Sequence, residues 1–164
     1  MQILVCRKMA GALKEGINIG DICTPFYSVA GTLANTYLKD SIKDYVPFEK
    51  IYPDTEYVNK MIQLAEEENH TIRKASVFYT DSIVMEYTHL EEIKEFDTDM
   101  MEMETATFYA IAKLMEIHAI ALLVVSDNSA TEVPLVGRSE KIQKVYEYSK
   151  REVLIDLIYK IVCE

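Results

Sequence analysis

The stretch Met100-Met101-Glu102-Met103-Glu104-Thr105-Ala106 continues through Phe108, Ala110, Ile111, Leu114 and Met115 to the apolar run Ala119 to Val125, and it decides the fold class. Met100 to Met103 reads as a short strand. Ala106 to Met115 repeats apolar residues at three-to-four spacing, which predicts a helix beginning near Glu104. The uninterrupted run that follows has the length of a buried strand. A strand, a helix and a strand in succession are the repeating unit of α/β sheets.

Working outward, a polar loop with Pro134 and Gly137 leads to Ser139. This residue can cap a long final helix through Ile142, Val145, Val153, Ile155, Leu157 and Ile161. On the other side, Ala75 to Thr80 reads as a strand, preceded by a helix capped by Asp54 or Thr55 and carrying Val58, Met61, Ile62 and Ala65 on one face. Lys39 to Asp54, with Pro47 and Pro53, is a polar connection. Asp21 to Val29 is a strand ended by Gly31, Gly11, Gly16 and Gly20 mark a loop, and Ile3 to Cys6 is a strand close to the first residue. The expectation is an α/β fold in one domain, residues 1–164, with a mostly parallel sheet flanked by helices.

Composition narrows the partners. A formal charge of -10 and scattered Lys and Arg residues speak against nucleic acid, whose phosphates need clustered cations. No apolar run approaches the roughly 20 residues that span a bilayer, so no membrane partner is expected. Cys6, Cys23 and Cys163 form neither a CxxC pair nor an even framework, which fits a reducing cytoplasm. His70, His89 and His118 are too scattered for a ligand motif, so no metal site is expected, and neither a dinucleotide fingerprint nor a Walker loop is present.

Two acidic clusters stand at the carboxyl ends of predicted strands: Glu102 with Glu104, and Asp127 in Val125-Ser126-Asp127-Asn128. Open α/β sheets bind ligands outside those ends, so the clusters can face one pocket. The residues alone also allow Glu104 to be an acidic first-turn residue and Asp127 a turn former. Likewise Arg138 can be a solvated loop arginine.

Glu102-Met103-Glu104-Thr105-Ala106 resembles the MEMEA or VEMEA segment of hexameric-type purine nucleoside phosphorylases, and Val125-Ser126-Asp127 resembles their VSD segment. Val77-Phe78-Tyr79-Thr80-Asp81-Ser82 is similar to the family's strand ending in Ser/Thr-x-Asp. Ala10-Gly11-Ala12-Leu13-Lys14 with Ile19-Gly20-Asp21-Ile22 is similar to its AGAL…IGDIV pattern. The resemblance implies a truncated phosphorylase-like fold lacking the family's N-terminal strands. It also implies cleavage of the N-glycosidic bond of purine nucleosides by a nucleoside phosphorylase or nucleosidase.

Carried over by position, Glu104 would hold the ribose 2′ and 3′ hydroxyls, Met103 would pack on the sugar, and Glu102 would join the substrate site more weakly. Asp127 would protonate the purine N7 and Arg138 would assist it. No metal or organic cofactor is implied, and phosphate is a possible co-substrate.

The chain departs from the family where phosphate is held. Its Gly-rich turn and arginine have no counterpart, and Lys8-Met9-Ala10-Gly11 stands for a Gly-Ser/Thr-x-Gly turn, with Met9 unable to donate the hydroxyl hydrogen bond. Arg7 and Lys8 read as solvated. No aromatic follows Asp81, where Ser82, Ile83 and Val84 stand, so base stacking would come from Phe78, Tyr79 or Tyr87. The alternative reading is a non-catalytic nucleoside-binding or structural remnant of the same fold. An edge left open at Ile3 to Cys6 predicts a homo-oligomer.

Overall fold

The computed structural model describes residues 3–82, 84 and 87–163. Six strands form one sheet: β1 (Ile3–Ala12), β2 (Ile22–Ala30), β3 (Lys50–Ile51), β4 (Arg73–Tyr79), β5 (Met100–Glu102) and β6 (His118–Asn128). Their order is β3-β2-β4-β5-β1-β6. Because Ile22 and Cys23 of β2 also pair with β6, the sheet closes into a five-stranded ring with β3 outside it.

The sheet is mixed, which corrects the mostly parallel expectation. β1–β6, β2–β4 and β4–β5 run parallel, whereas β1–β5, β2–β6 and β2–β3 run antiparallel. Alternating strands and helices fix the direction only of neighbours joined by a crossover, as β2 and β4 are. They say nothing about neighbours distant in sequence. The strand, helix, strand unit that opened the reading ends with β6 running opposite to β5, with β1 inserted between them.

Two strands run further than their apolar stretches. β1 passes through Arg7, Lys8 and Gly11 to Ala12, and β6 takes in Ser126, Asp127 and Asn128, so Gly11 and Asp127 are strand residues and not loop residues. The two strands pair from Ile3↔His118 to Ala12↔Asn128, with a bulge between Ala10 and Gly11. Along the other side of β1, only Gly11 and Ala12 pair, with Met101 and Met100 of β5. Residues 3–10 therefore have no strand partner on that side among the described residues.

Helices α1 (Thr55–Glu67), α2 (Leu90–Lys94), α3 (Thr105–Leu114), α4 (Glu140–Tyr148) and α5 (Leu154–Cys163) cover the sheet. Asp54 caps α1 by accepting the Tyr57 amide at 3.0 Å, and Ser139 caps α4 by accepting that of Ile142 at 3.4 Å. The single long final helix expected from the sequence is interrupted by a π-turn over Ser149–Val153. Eight residues of unbroken α-helix would leave Tyr146 and Leu154 about 80° out of line. The extra residue in the π-turn brings them to within roughly 20°, so one stripe serves both halves.

Side-chain alternation on β6 builds the core. Ile120, Leu122 and Val124 meet Val58 and Met61 of α1 and Leu154 and Leu157 of α5. On the opposite face Ala119 and Ala121 receive Tyr109 and Ala112 of α3, while Leu123 and Val125 turn into the ring beside Ala10, Ala12, Ala75 and Val77. A five-stranded ring leaves space for few large side chains, hence the alanines. No helix among the described residues is long and apolar enough to cross a membrane.

Candidate functional site

The first carboxylate cluster is built by the junction of β5 and α3. Glu102 is buried, and its side chain turns back onto the start of the helix. It accepts the Glu104 amide at 2.7 Å, the Thr105 amide at 3.0 and 3.1 Å, and the Thr105 hydroxyl at 2.6 Å. The helix N-terminus has amides with no intrahelical partner, and Glu102 satisfies two of them. Since Thr105 Oγ1 gives its proton to Glu102, Ser28 Oγ donates to Thr105 at 2.5 Å. Burial pushes the Glu102 carboxyl up, against the pull of these donors. The sugar contact expected of Glu102 finds no exposed acceptor, since the residue is only 1% exposed.

Glu104 occupies the cap position of α3 but makes no capping bond of its own. Its Oε1 accepts instead from Lys8 Nζ at 2.6 Å. Both side chains are about two-fifths exposed, at 42% and 40%. The hydrogen bond to Glu104 raises the Lys8 pKa further above its ordinary value. Lys8 is thus paired and not simply solvated, a departure from the sequence expectation because its partner lies 96 residues away. Met103 lies between the two glutamates and is partly exposed.

The second cluster lies across β1. Asp127 is half-buried and stands opposite Gly11, and Ser126 Oγ donates to its Oδ1 at 2.5 Å. A Cβ added at Gly11 would fall 2.8 Å from Asp127 Oδ2, so only glycine leaves the carboxylate where it is. Arg138 donates through Nη1 to the carbonyl of Ser126 and through Nε to Gln143 Oε1 at 3.1 Å, with its guanidinium 4.3 Å from the centre of the Tyr146 ring. It thus holds the backbone next to Asp127, and the carboxylate itself is not among its partners in the described residues. The Tyr146 hydroxyl reaches Met9 Sδ at 2.5 Å.

Asp127, Gly11 and Met101 form one row across β6, β1 and β5. Two strand spacings separate the ends of this row, about 9–10 Å. Because β5 runs against β1, the chain leaving Glu102 travels back toward Lys8. Glu104 and Asp127 therefore flank the segment Lys8–Gly11, on whose near half Lys8 and Ala10 share a face with Leu123 and Val125. A diol-binding carboxylate and a second carboxyl group can act here on one ligand lying across β1.

Other expected residues have different surroundings. Phe78 is buried, with the rings of Phe48 and Phe96 against it, Tyr79 is buried, and Tyr87 is exposed. Ile83 lies outside the described residues. Asn128 is structural: its amide donates to the carbonyls of Lys14 and Ile17 at 3.0 and 2.8 Å. Two cavities among the described residues lie elsewhere, one of about 380 Å³ beside Asp54, Tyr109 and His118 and another of about 460 Å³ beside Asn35 and Lys113. Glu104 and Asp127 line neither.

The chain is similar to known proteins in sequence and in fold. The chain is 28% identical over 131 residues to the DeoD-type purine nucleoside phosphorylase of Bacillus velezensis and 26% identical over 132 residues to that of Brevibacillus brevis. Each alignment takes in 80% of this chain and 54% of the relative, so the chain spans about half the length of the curated relatives it matches.

Among solved structures, the 5′-methylthioadenosine/S-adenosyl homocysteine nucleosidase of Campylobacter jejuni superposes with a TM-score of 0.73 at 20% identity, covering 98% of this chain and 69% of that one. A futalosine hydrolase mutant of Helicobacter pylori gives 0.72 at 14% identity, covering 99% and 69%. At such identities the likeness is one of fold. The model of the phosphorylase superfamily matches residues 9–154, a span that contains both carboxylate clusters, and the chain belongs to that superfamily.

Proposed function

We propose that this chain binds purine nucleosides across β1 and cleaves their N-glycosidic bond. The observation that supports this best is the row Asp127–Gly11–Met101, with the Asp127 carboxylate resting on a glycine on one side of β1 and Glu104 returning along the other. Glu104 accepts the vicinal ribose hydroxyls. Met103 packs on the sugar, and Asp127 in its acid form gives a proton to the purine N7 as the C1′–N9 bond breaks and the ribose gains oxocarbenium character. Arg138 and Glu102 act as positioning residues, through the Ser126 carbonyl and the Glu104 amide.

The nucleophile at C1′ is water or phosphate. The exchange of the family's hydroxyl donor for Met9 favours water, giving ribose and free base. Lys8 must yield part of its hold on Glu104 when a diol arrives, so Lys8→Met should tighten riboside binding by releasing Oε1.

A second reading has its own support. Lys8 already occupies Glu104, and Arg138 is engaged with Ser126 and Tyr146, which suits a nucleoside-binding protein without turnover. Incubation with adenosine or inosine, with and without phosphate, followed by quantification of base, ribose and ribose 1-phosphate, separates the two. Base release that Asp127→Asn abolishes while riboside binding persists is the expected result. Binding without release supports the second reading, and neither binding nor release overturns both.

A further inference from the structure

A polar concavity lies apart from the two carboxylate clusters. Between the short 3-10 segment Ala34–Leu38 and the outer side of α3 lies the cavity of about 460 Å³, within the size range of small-molecule sites. Asn35 lines it and is only 6% exposed. Thr107 Oγ1 donates to Asn35 Oδ1 at 2.7 Å, and Asn35 Nδ2 has no acceptor among the described residues. Leaving a buried donor unpaired is costly, so a native structure that keeps one calls for an acceptor supplied from outside the chain.

The charge around this amide runs against that of the protein. Lys39, Lys50 and Lys113 line the cavity with Glu49 as the single carboxylate, an excess of two positive charges on a chain whose net charge is -10. Lys39 is held by Glu49 at 2.8 and 2.9 Å, and Lys50 lies 4.5 Å from the centre of the Tyr27 ring. Lys113 makes no ion pair among the described residues. Tyr52 and Lys113 also line the adjoining cavity of about 380 Å³, so the two spaces share a wall along which a larger ligand can extend.

We propose that this concavity is a second ligand site and takes a phosphate group, free or as the monoester of a small metabolite. Asn35 Nδ2 donates to one phosphate oxygen, the lysines balance the charge of roughly -1.5 to -2 that a phosphomonoester carries near neutral pH, and Tyr52 supports the organic part. Nothing in this site depends on the nucleoside reading of Glu104 and Asp127.

Calorimetric titration of the full chain with inorganic phosphate and with ribose 5-phosphate tests the proposal. Both should bind, the ester more tightly if the adjoining cavity is used and equally if free phosphate is the ligand. Lys113→Glu, a change on an exposed side chain that leaves the fold intact, should weaken binding at least about tenfold, and Asn35→Ala by a similar factor. Lys8→Met should leave phosphate affinity unchanged. The proposal is overturned if neither probe binds at millimolar concentration, which would mean a water-filled cavity only. It is equally overturned if Lys113→Glu has no effect, or if Lys8→Met removes the binding and so assigns the anion to the other side of the molecule.

Discussion

Replacing Glu102 by leucine tests how the site is held together. The substitution keeps most of the volume and removes every acceptor, leaving the amides of Glu104 and Thr105 facing a buried apolar side chain. At roughly 1–3 kcal/mol for each unsatisfied buried donor, the loss of stability is about 2–6 kcal/mol, a large share of what a domain of this size possesses. Glu102→Gln, which retains one acceptor oxygen, should lose less.

The pH dependence has a definite sign. Burial raises the folded-state pKa above the ordinary 4.5, so the folded protein binds the proton more strongly than the unfolded chain. The stability arising from this linkage is fully present below about 4.5 and is lost as pH rises through the raised value. The gap between wild type and Glu102→Leu is therefore widest in acid. Urea unfolding followed by far-ultraviolet circular dichroism at several pH values measures both. A loss below about 0.5 kcal/mol, or a gap that widens toward alkaline pH, would refute the argument that Glu102 secures the start of α3.

Gly11→Ala should hardly change stability, because the atom it meets is the movable end of Asp127. It should cut base release by up to about a hundredfold, since displacing a reacting group by an ångström has that order of effect. Unchanged turnover would detach Asp127 from the chemistry. Asp99→Asn should cost about 1–3 kcal/mol at neutral pH, read by urea unfolding. Burial alone would raise the Asp99 carboxyl, but the Ser76 amide and Lys14 bring it below the ordinary 3.8. Its contribution is thus present above 3.8 and lost as pH falls through the lowered value, and the mutant should show a flatter acid limb. Light scattering at micromolar concentration should give a multiple of 18.8 kDa, with the open edge of β1 between residues 3 and 10 covered in the assembly. A stable monomer would sink that expectation.

How far these features can be read from the sequence follows from the range over which each signal acts. Asp54 and Ser139 announce helices because a cap and its amide lie three residues apart, and the apolar spacing of Val58, Met61 and Ala65 gives the buried face of α1 directly. The run Ala119 to Val125 locates β6, since a strand buried on both faces needs no alternation. Sheet direction is a different kind of property. It depends on which distant strands become neighbours, and ring closure through Ile22 and Cys23 against Leu123 and Val124 leaves no local trace. The ends of β1 and β6 escape the reading for a related reason. Gly11 looks like a turn residue until Asp127 is seen above it, and Asp127 looks like a loop residue until Gly11 leaves room for it.

The candidate site divides along the same line. Glu104 and Asp127 stand out because motifs at strand ends are local and resemble a family. The partner of Glu104 lies 96 residues away and comes from a position where the sequence offers only two adjacent basic residues near one end. Glu102 and Glu104 carry identical side chains two positions apart, yet one is turned inward to hold backbone amides and the other outward to Lys8. Alternation alone would put both on one face of an extended strand. The strand stops at Glu102, and the helix that begins at Thr105 draws that carboxylate onto its own amides, so the fold spends the first acid on holding the second in place.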